Sequence, residues 1–108
     1  MSKHTKGPWT LLPAESDKDY LRIRGTQLGG RYKVANVHQW RYEGMPDSIR
    51  QHDDAESMAN ARLIAAAPEM LEALKSALWR MQQYDYQAME GTIAKARAAI
   101  AKATGETP

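Results

Sequence analysis

Cysteine is missing from all 108 residues, and with it go disulfide frameworks, thiolate metal sites and cysteine nucleophiles. Phenylalanine is missing too. No stretch comes near the roughly 18 continuous apolar residues that a membrane helix requires. The basic opening Met1–Pro8 leads into no apolar run of signal-peptide length, so a cytoplasmic protein with no membrane partner is expected. Charge of one sign is scarcely in excess, at +2, and the dense basic stripe of a dedicated duplex binder is lacking. The run Gly25-x-x-x-Gly29-Gly30 lacks the Lys-Ser/Thr that a phosphate loop places after its glycines. His4, His38 and His52 lie far apart with no second ligand at helical spacing, so no metal or other cofactor is expected. Glu43, Asp47, Asp53 and Asp54 could be drawn with His38 as an acid–base set. Acids beside a helix N-terminus are accounted for by its dipole, however, and a non-enzymatic protein is expected.

What is present is ordinary in amount and unusual in kind. An apolar content of 43% with 26% charged residues suits a globular chain, and 108 residues suit one domain spanning 1–108. Much of the apolar content is alanine, which buries little area. The core must therefore draw on few large side chains: Trp9, Leu12, Leu21, Ile23, Val34, Leu63, Ile64, Leu71, Leu74, Leu78 and Ile100. Charge is unevenly placed. Residues 1–52 hold nine Lys/Arg against five Asp/Glu, and residues 53–108 hold six against eight. A basic first half can steer an anionic partner.

Along the chain, residues 1–8 form a polar lead-in and residues 9–37 predict a β-meander. Trp9–Leu12 is a short apolar run stopped by Pro13. Tyr20-Leu21-Arg22-Ile23-Arg24 alternates with period two, placing Leu21 and Ile23 inward and Arg22 and Arg24 toward water. Gly25–Gly30 is the turn, and Tyr32–Val37 the next strand. Residues 38–52 show neither period and predict a long loop, of the kind that is often functional. The helical half, 53–104, opens on Asp53-x-x-Glu56, a variant capping box. Pro68 must break the first helix and start a second. Leu71, Leu74, Leu78 and Met81 form one stripe of that second helix, and Thr92–Ala103 a third helix closed by Gly105. The expected fold is α+β, a three-stranded antiparallel sheet packed on one face by two to three helices.

Two groups of side chains are candidates for binding. Trp40, Arg41, Tyr42 and Arg50 gather on the long loop; Arg22, Arg24, Arg31 and Lys33 lie on or beside the strands. Aromatic faces with guanidinium groups suit a protein interface, where Trp, Tyr and Arg concentrate binding energy. They suit nucleotide stacking and phosphate pairing equally, and an aromatic of this group could also just cover one end of the core. Trp79 stands off the leucine stripe; with the alanine-rich last helix it could form a patch for a homo-oligomer.

Two segments carry a resemblance. His4-Thr5-Lys6-Gly7-Pro8-Trp9 is similar to the HTPGPW-type opening of many small phage-encoded proteins, and Ala59-Asn60-Ala61-Arg62-Leu63-Ile64-Ala65-Ala66-Ala67-Pro68-Glu69-Met70-Leu71-Glu72-Ala73-Leu74 resembles their shared helical signature. The resemblance implies a bacteriophage or prophage gene expressed in a bacterial cytoplasm, and brings no catalytic residues to carry over. The expected function is that of an accessory protein that binds and modulates a host protein or defence complex, with counter-defence as its biology. The alternative is a nucleic-acid or nucleotide binder that uses the basic sheet residues and the loop aromatics.

Overall fold

The computed structural model describes residues 3–84 and 89–105. Strands β1 (Thr10–Leu11), β2 (Tyr20–Gly25) and β3 (Tyr32–His38) are followed by helices α2 (Asp47–Ala65), α3 (Ala67–Gln83) and α4 (Glu90–Thr104); a four-residue helical turn, α1 (Gln27–Gly30), joins β2 to β3. The strands form one antiparallel sheet in the order β1-β2-β3, so the fold is α+β as the patterning implies.

Proline keeps β1 short. Leu12 still donates its amide to the Arg22 carbonyl at 3.0 Å, but Pro13 has no amide with which to continue the ladder. Between β2 and β3, Tyr20 faces His38, Leu21 faces Val37 and Ile23 faces Ala35, after which Arg24 faces Lys33. Val34 is the extra residue of a bulge at that step. The β2–β3 connection then turns through three left-handed residues, Leu28 (φ 55°), Gly29 (φ 65°) and Gly30 (φ 84°). Two of these are glycines, for which the conformation is nearly free; Leu28 is not.

Contacts divide the chain into two compact units, one of which is Thr5–Ala67. Its core is Leu21, Ile23 and Ala61, with Trp9, Leu11, Val34, Ala35, Val37, Met58 and Ala65 packed around them. Helix α2 meets the core through Ser57, Met58, Ala61 and Ala65, a face in which Met58 is the one large side chain. This corrects the expected core. Leu63 is 59% exposed and Ile64 also reaches solvent. At 100° per residue, Leu63 lies 200° from Ala61, on the far side of α2.

The start of α2 is a second correction. The helix opens at Asp47, directly after Pro46, whose extended φ of −60° and ψ of 142° set the entry. Residues 47–52 are therefore helical, and the loop is 39–46. Asp53 lies well inside the helix and does not cap it. Third, Arg24 does not face water. It is buried, because its guanidinium Nη1 turns back to donate to the Ile23 carbonyl (3.0 Å), the Ala35 carbonyl (3.3 Å) and Asn36 Oδ1 (3.1 Å).

Helices α3 and α4 belong to the other unit. Helix α3 follows α2 after one intervening residue, Ala66, in keeping with a proline that tolerates only the first helical turn. Helix α4 ends where Gly105 adopts φ 75° and donates its amide to the Ala101 carbonyl. Gln82 accepts from Arg97 Nε at 3.2 Å and Nη2 at 2.5 Å when its amide is turned to satisfy both groups, and so ties α3 to α4. No helix among the described residues is long and apolar enough to cross a membrane.

Candidate binding site on the loop after β3

The sheet ends by handing its last residues to two loops. Gln39, buried, donates its amide to the Asp19 carbonyl at 2.7 Å, which extends the β2–β3 pairing one step and fixes where the loop leaves. The next two residues are fastened to α2. The amide of Trp40 donates to Asp53 Oδ2 at 2.9 Å. Arg41 pairs through Nη2 with Asp54, lies 3.7 Å through Nη1 from Asp53 Oδ2, and donates to the Trp40 carbonyl at 2.8 Å. Ser57, one helical turn beyond, donates to the Asp53 carbonyl at 2.7 Å and lies 3.4 Å from its carboxylate. Past this point the chain reverses. Gly44 takes φ 78°, and Met45 donates its amide to the Tyr42 carbonyl at 3.2 Å.

The backbone at Trp40 is thus held by Asp53 of α2 and by Arg41, itself paired with Asp54, while Trp40 as a residue is 62% exposed and Tyr42 49%. An aromatic anchored by its main chain and offered by its side chain has already lost the backbone part of the entropy that binding would otherwise take from it.

Beside the aromatics lies an open cleft of about 730 Å³ between Ser16–Asp19 and Arg41–Met45, with Arg50 of α2 also lining it. Three cations (Lys18, Arg41, Arg50) and three carboxylates (Asp17, Asp19, Glu43) line it, so it has no bias toward an anion. Two of the cations are already engaged. Lys18 lies 3.0 Å from Glu15 and 3.6 Å from Asp17. The hydrogen bond to Glu15, then the charges of Asp17 and Glu15, hold its ammonium above the usual lysine range. Arg41 is occupied by Asp53 and Asp54. Arg50 forms no salt bridge among the described residues.

The eight residues singled out by sequence therefore separate into two places. Trp40, Arg41 and Tyr42 lie on the loop and Arg50 on α2; of these four, Arg41, Tyr42 and Arg50 line the cleft. Arg24 and Lys33 face each other near the opposite, hairpin end of the sheet, with Arg31 at the turn. Arg24 is four strand residues from Tyr20, about 13 Å at ~3.3 Å per residue. Arg22 is occupied by Glu15 (2.5 Å) and lies within 3.5 Å of the Pro13 carbonyl. The residues that sequence reasoning missed are the anchors Asp53, Asp54 and Ser57 and the facing loop 16–19. The spacing of Asp53 and Ser57, four apart and hence one above the other on a helix, was the available signal. Among the described residues no group of three or more His, Asp or Glu is placed to hold a metal ion. His52 lies on α2, 3.6 Å from Glu56, one turn along the same helix.

A family model described as Salmonella phage P22 protein Y8K6 matches residues 1–107 of the chain. No curated protein and no solved structure matches it.

Proposed function

The chain belongs to the Salmonella phage P22 protein Y8K6 family, and we propose from this premise that it is an accessory protein that works by binding. Its partner is a host macromolecule in the bacterial cytoplasm, a protein or defence complex that it modulates without catalysis, with counter-defence as the biological outcome. The observation that supports this reading is the fastening of Trp40 and Arg41 to α2 while the Trp40 and Tyr42 rings stay exposed. Buried aromatic anchors, ringed by contacts that exclude water, dominate protein interfaces, and removal of one costs about 2 kcal/mol or more.

The nucleic-acid alternative finds less support in the charges. Arg22 and Arg41 are neutralised by carboxylates, Arg24 is turned into backbone carbonyls, and the cleft carries equal charge of both signs. Arg31, Lys33 and Arg50 remain, too few for the steep salt dependence of phosphate binding.

Affinity capture of the tagged protein from bacterial lysate, with and without nuclease, tests both readings. The expected result is a stoichiometric protein partner that survives nuclease and is lost when Trp40 and Tyr42 are both replaced by alanine. Partners that vanish with nuclease would replace this reading with the nucleic-acid one. A partner retained by the double variant would remove the loop from the account.

A further inference from the structure

The two edges of the sheet differ. Strand β1 is two residues long and is stopped by Pro13, both of which blunt an edge. Strand β3 runs for seven residues, Tyr32–His38, contains no proline and has only β2 beside it in the sheet. Beyond the Val34 bulge its pairing is regular, from Ala35 with Ile23 to His38 with Tyr20. The register also sets the direction of its backbone groups. Gln39 donates to the Asp19 carbonyl, and in an antiparallel ladder the residues that bond to the neighbouring strand recur at every second position. Val37 and Ala35 therefore turn their amides and carbonyls to β2, whereas His38 and Asn36 turn theirs outward. Both of these are exposed, and among the described residues no hydrogen bond reaches their outward backbone groups.

The charge along this edge has one sign. Residues 31–38 hold Arg31 and Lys33 and no carboxylate. Lys33 stands opposite Arg24 in the register, a pairing of like charges that costs a sheet stability. Arg24 is engaged by carbonyls and by Asn36, and neither Arg31 nor Lys33 forms a salt bridge among the described residues.

We propose that the outer edge of β3 receives an extended acidic segment of a protein partner as a further strand. Outward amides and carbonyls at two-residue spacing are matched by the main chain of another extended segment. The sign of the segment follows from Arg31 and Lys33, since a carboxylate beside Lys33 supplies the counter-charge that β2 does not. A second copy of β3 would bring two more cations and no acid to meet them. This mode of binding rests on the main chain of β3 and is independent of the aromatic rings of the loop.

A fluorescein-labelled peptide, Val-Glu-Val-Thr-Val-Glu-Val, serves as the probe of the full chain, with a twin carrying lysine for both glutamates. Fluorescence polarisation should show saturable binding of the acidic peptide below about 1 mM, and at least tenfold weaker binding of the twin. Hydrogen exchange should find the Asn36 and His38 amides fast in the free chain and at least tenfold slower in the complex, with Val37 and Ala35 slow in both. His38→Pro removes an outward amide and keeps the bonds to β2, so it should weaken peptide binding at least fivefold with an unchanged circular dichroism spectrum. Lys33→Glu should narrow or reverse the preference between the two peptides. Replacing Trp40 and Tyr42 with alanine should leave peptide binding intact, which separates this edge from the aromatic loop. No binding of the acidic peptide at about 1 mM, equal binding of both peptides, or unaltered exchange at Asn36 and His38 under saturation would overturn the proposal. Should His38→Pro fail to fold, the exchange rates and the peptide pair still decide.

Discussion

Asp53 carries more of this molecule's organisation than its position in a run of polar residues suggests. Its carboxylate accepts the Trp40 amide and faces Arg41, and its backbone carbonyl receives the Ser57 hydroxyl. Both partners of the ion pair are about three-quarters covered, so it is weakened by solvent less than a surface pair. Asp53→Ala should cost about 1 kcal/mol in urea unfolding, since it removes the acceptor of the exposed Trp40 amide and leaves Arg41 with Asp54 alone. Trp40→Ala, by contrast, should change stability by less than about 0.5 kcal/mol, because most of the ring faces solvent. Equal costs would mean that the indole is a core residue and not an offered one. A second residue works the other way. Leu28 is held at φ 55° with its side chain 74% exposed, so the fold bears left-handed strain there and recovers little burial in return. Leu28→Gly should raise the unfolding free energy by about 0.5–1 kcal/mol, less than the full strain because glycine also gains freedom in the unfolded chain. A destabilised variant would show that Leu28 makes contacts worth more than its strain.

At the scale of elements, α2 joins the sheet unit through a face that is mostly small, with Ser57, Ala61 and Ala65 beside Met58. Ala61 is fully buried against Leu21 and Ile23, whereas Leu63 and Ile64 point away. Ala61→Leu should therefore cost about 1–3 kcal/mol by overpacking. Leu63→Lys should be nearly neutral, within about 0.5 kcal/mol, in the same denaturation assay. The reverse order would restore Leu63 to the core. This face marks where sequence patterning stops being informative. The strands were legible because Leu21 and Ile23 alternate with polar residues, and the break before α3 because Pro68 admits no other reading. The contact face of α2 was not, because periodicity weighs large apolar side chains and this helix packs through Ser57, Ala61 and Ala65, with Met58 the one large side chain among them. The early start at Asp47 was hidden for a related reason. Residues 47–54 are almost all polar, and a solvated helix turn of that composition looks like loop until its entry, here Pro46, is known. The aromatic-basic loop was legible as a cluster. Its fastening was not, since Trp40 and Asp53 are thirteen residues apart and meet only when α2 folds back along the sheet.

For the molecule as a whole, the division into two compact units separates two kinds of stability. Thr5–Ala67 has a sheet and its own buried residues, so its unfolding is governed by contacts within one chain. Among the described residues of α3 and α4, Pro68 and Ala96 are buried, and Leu71, Leu74, Leu78, Met81, Ile93 and Ile100 are half-buried. Local opening is easiest where few apolar side chains are fully buried, so the two units should differ in how readily their backbone amides reach solvent. Native-state hydrogen exchange of the full chain should therefore find the slowest amides in β2, β3 and α2, around Leu21, Ile23 and Ala61, and amides in α3 and α4 exchanging at least about tenfold faster. Equal protection in both units would mean that the chain opens as one cooperative body, and that the half-buried apolar residues of α3 and α4 serve as well as the core beneath the sheet.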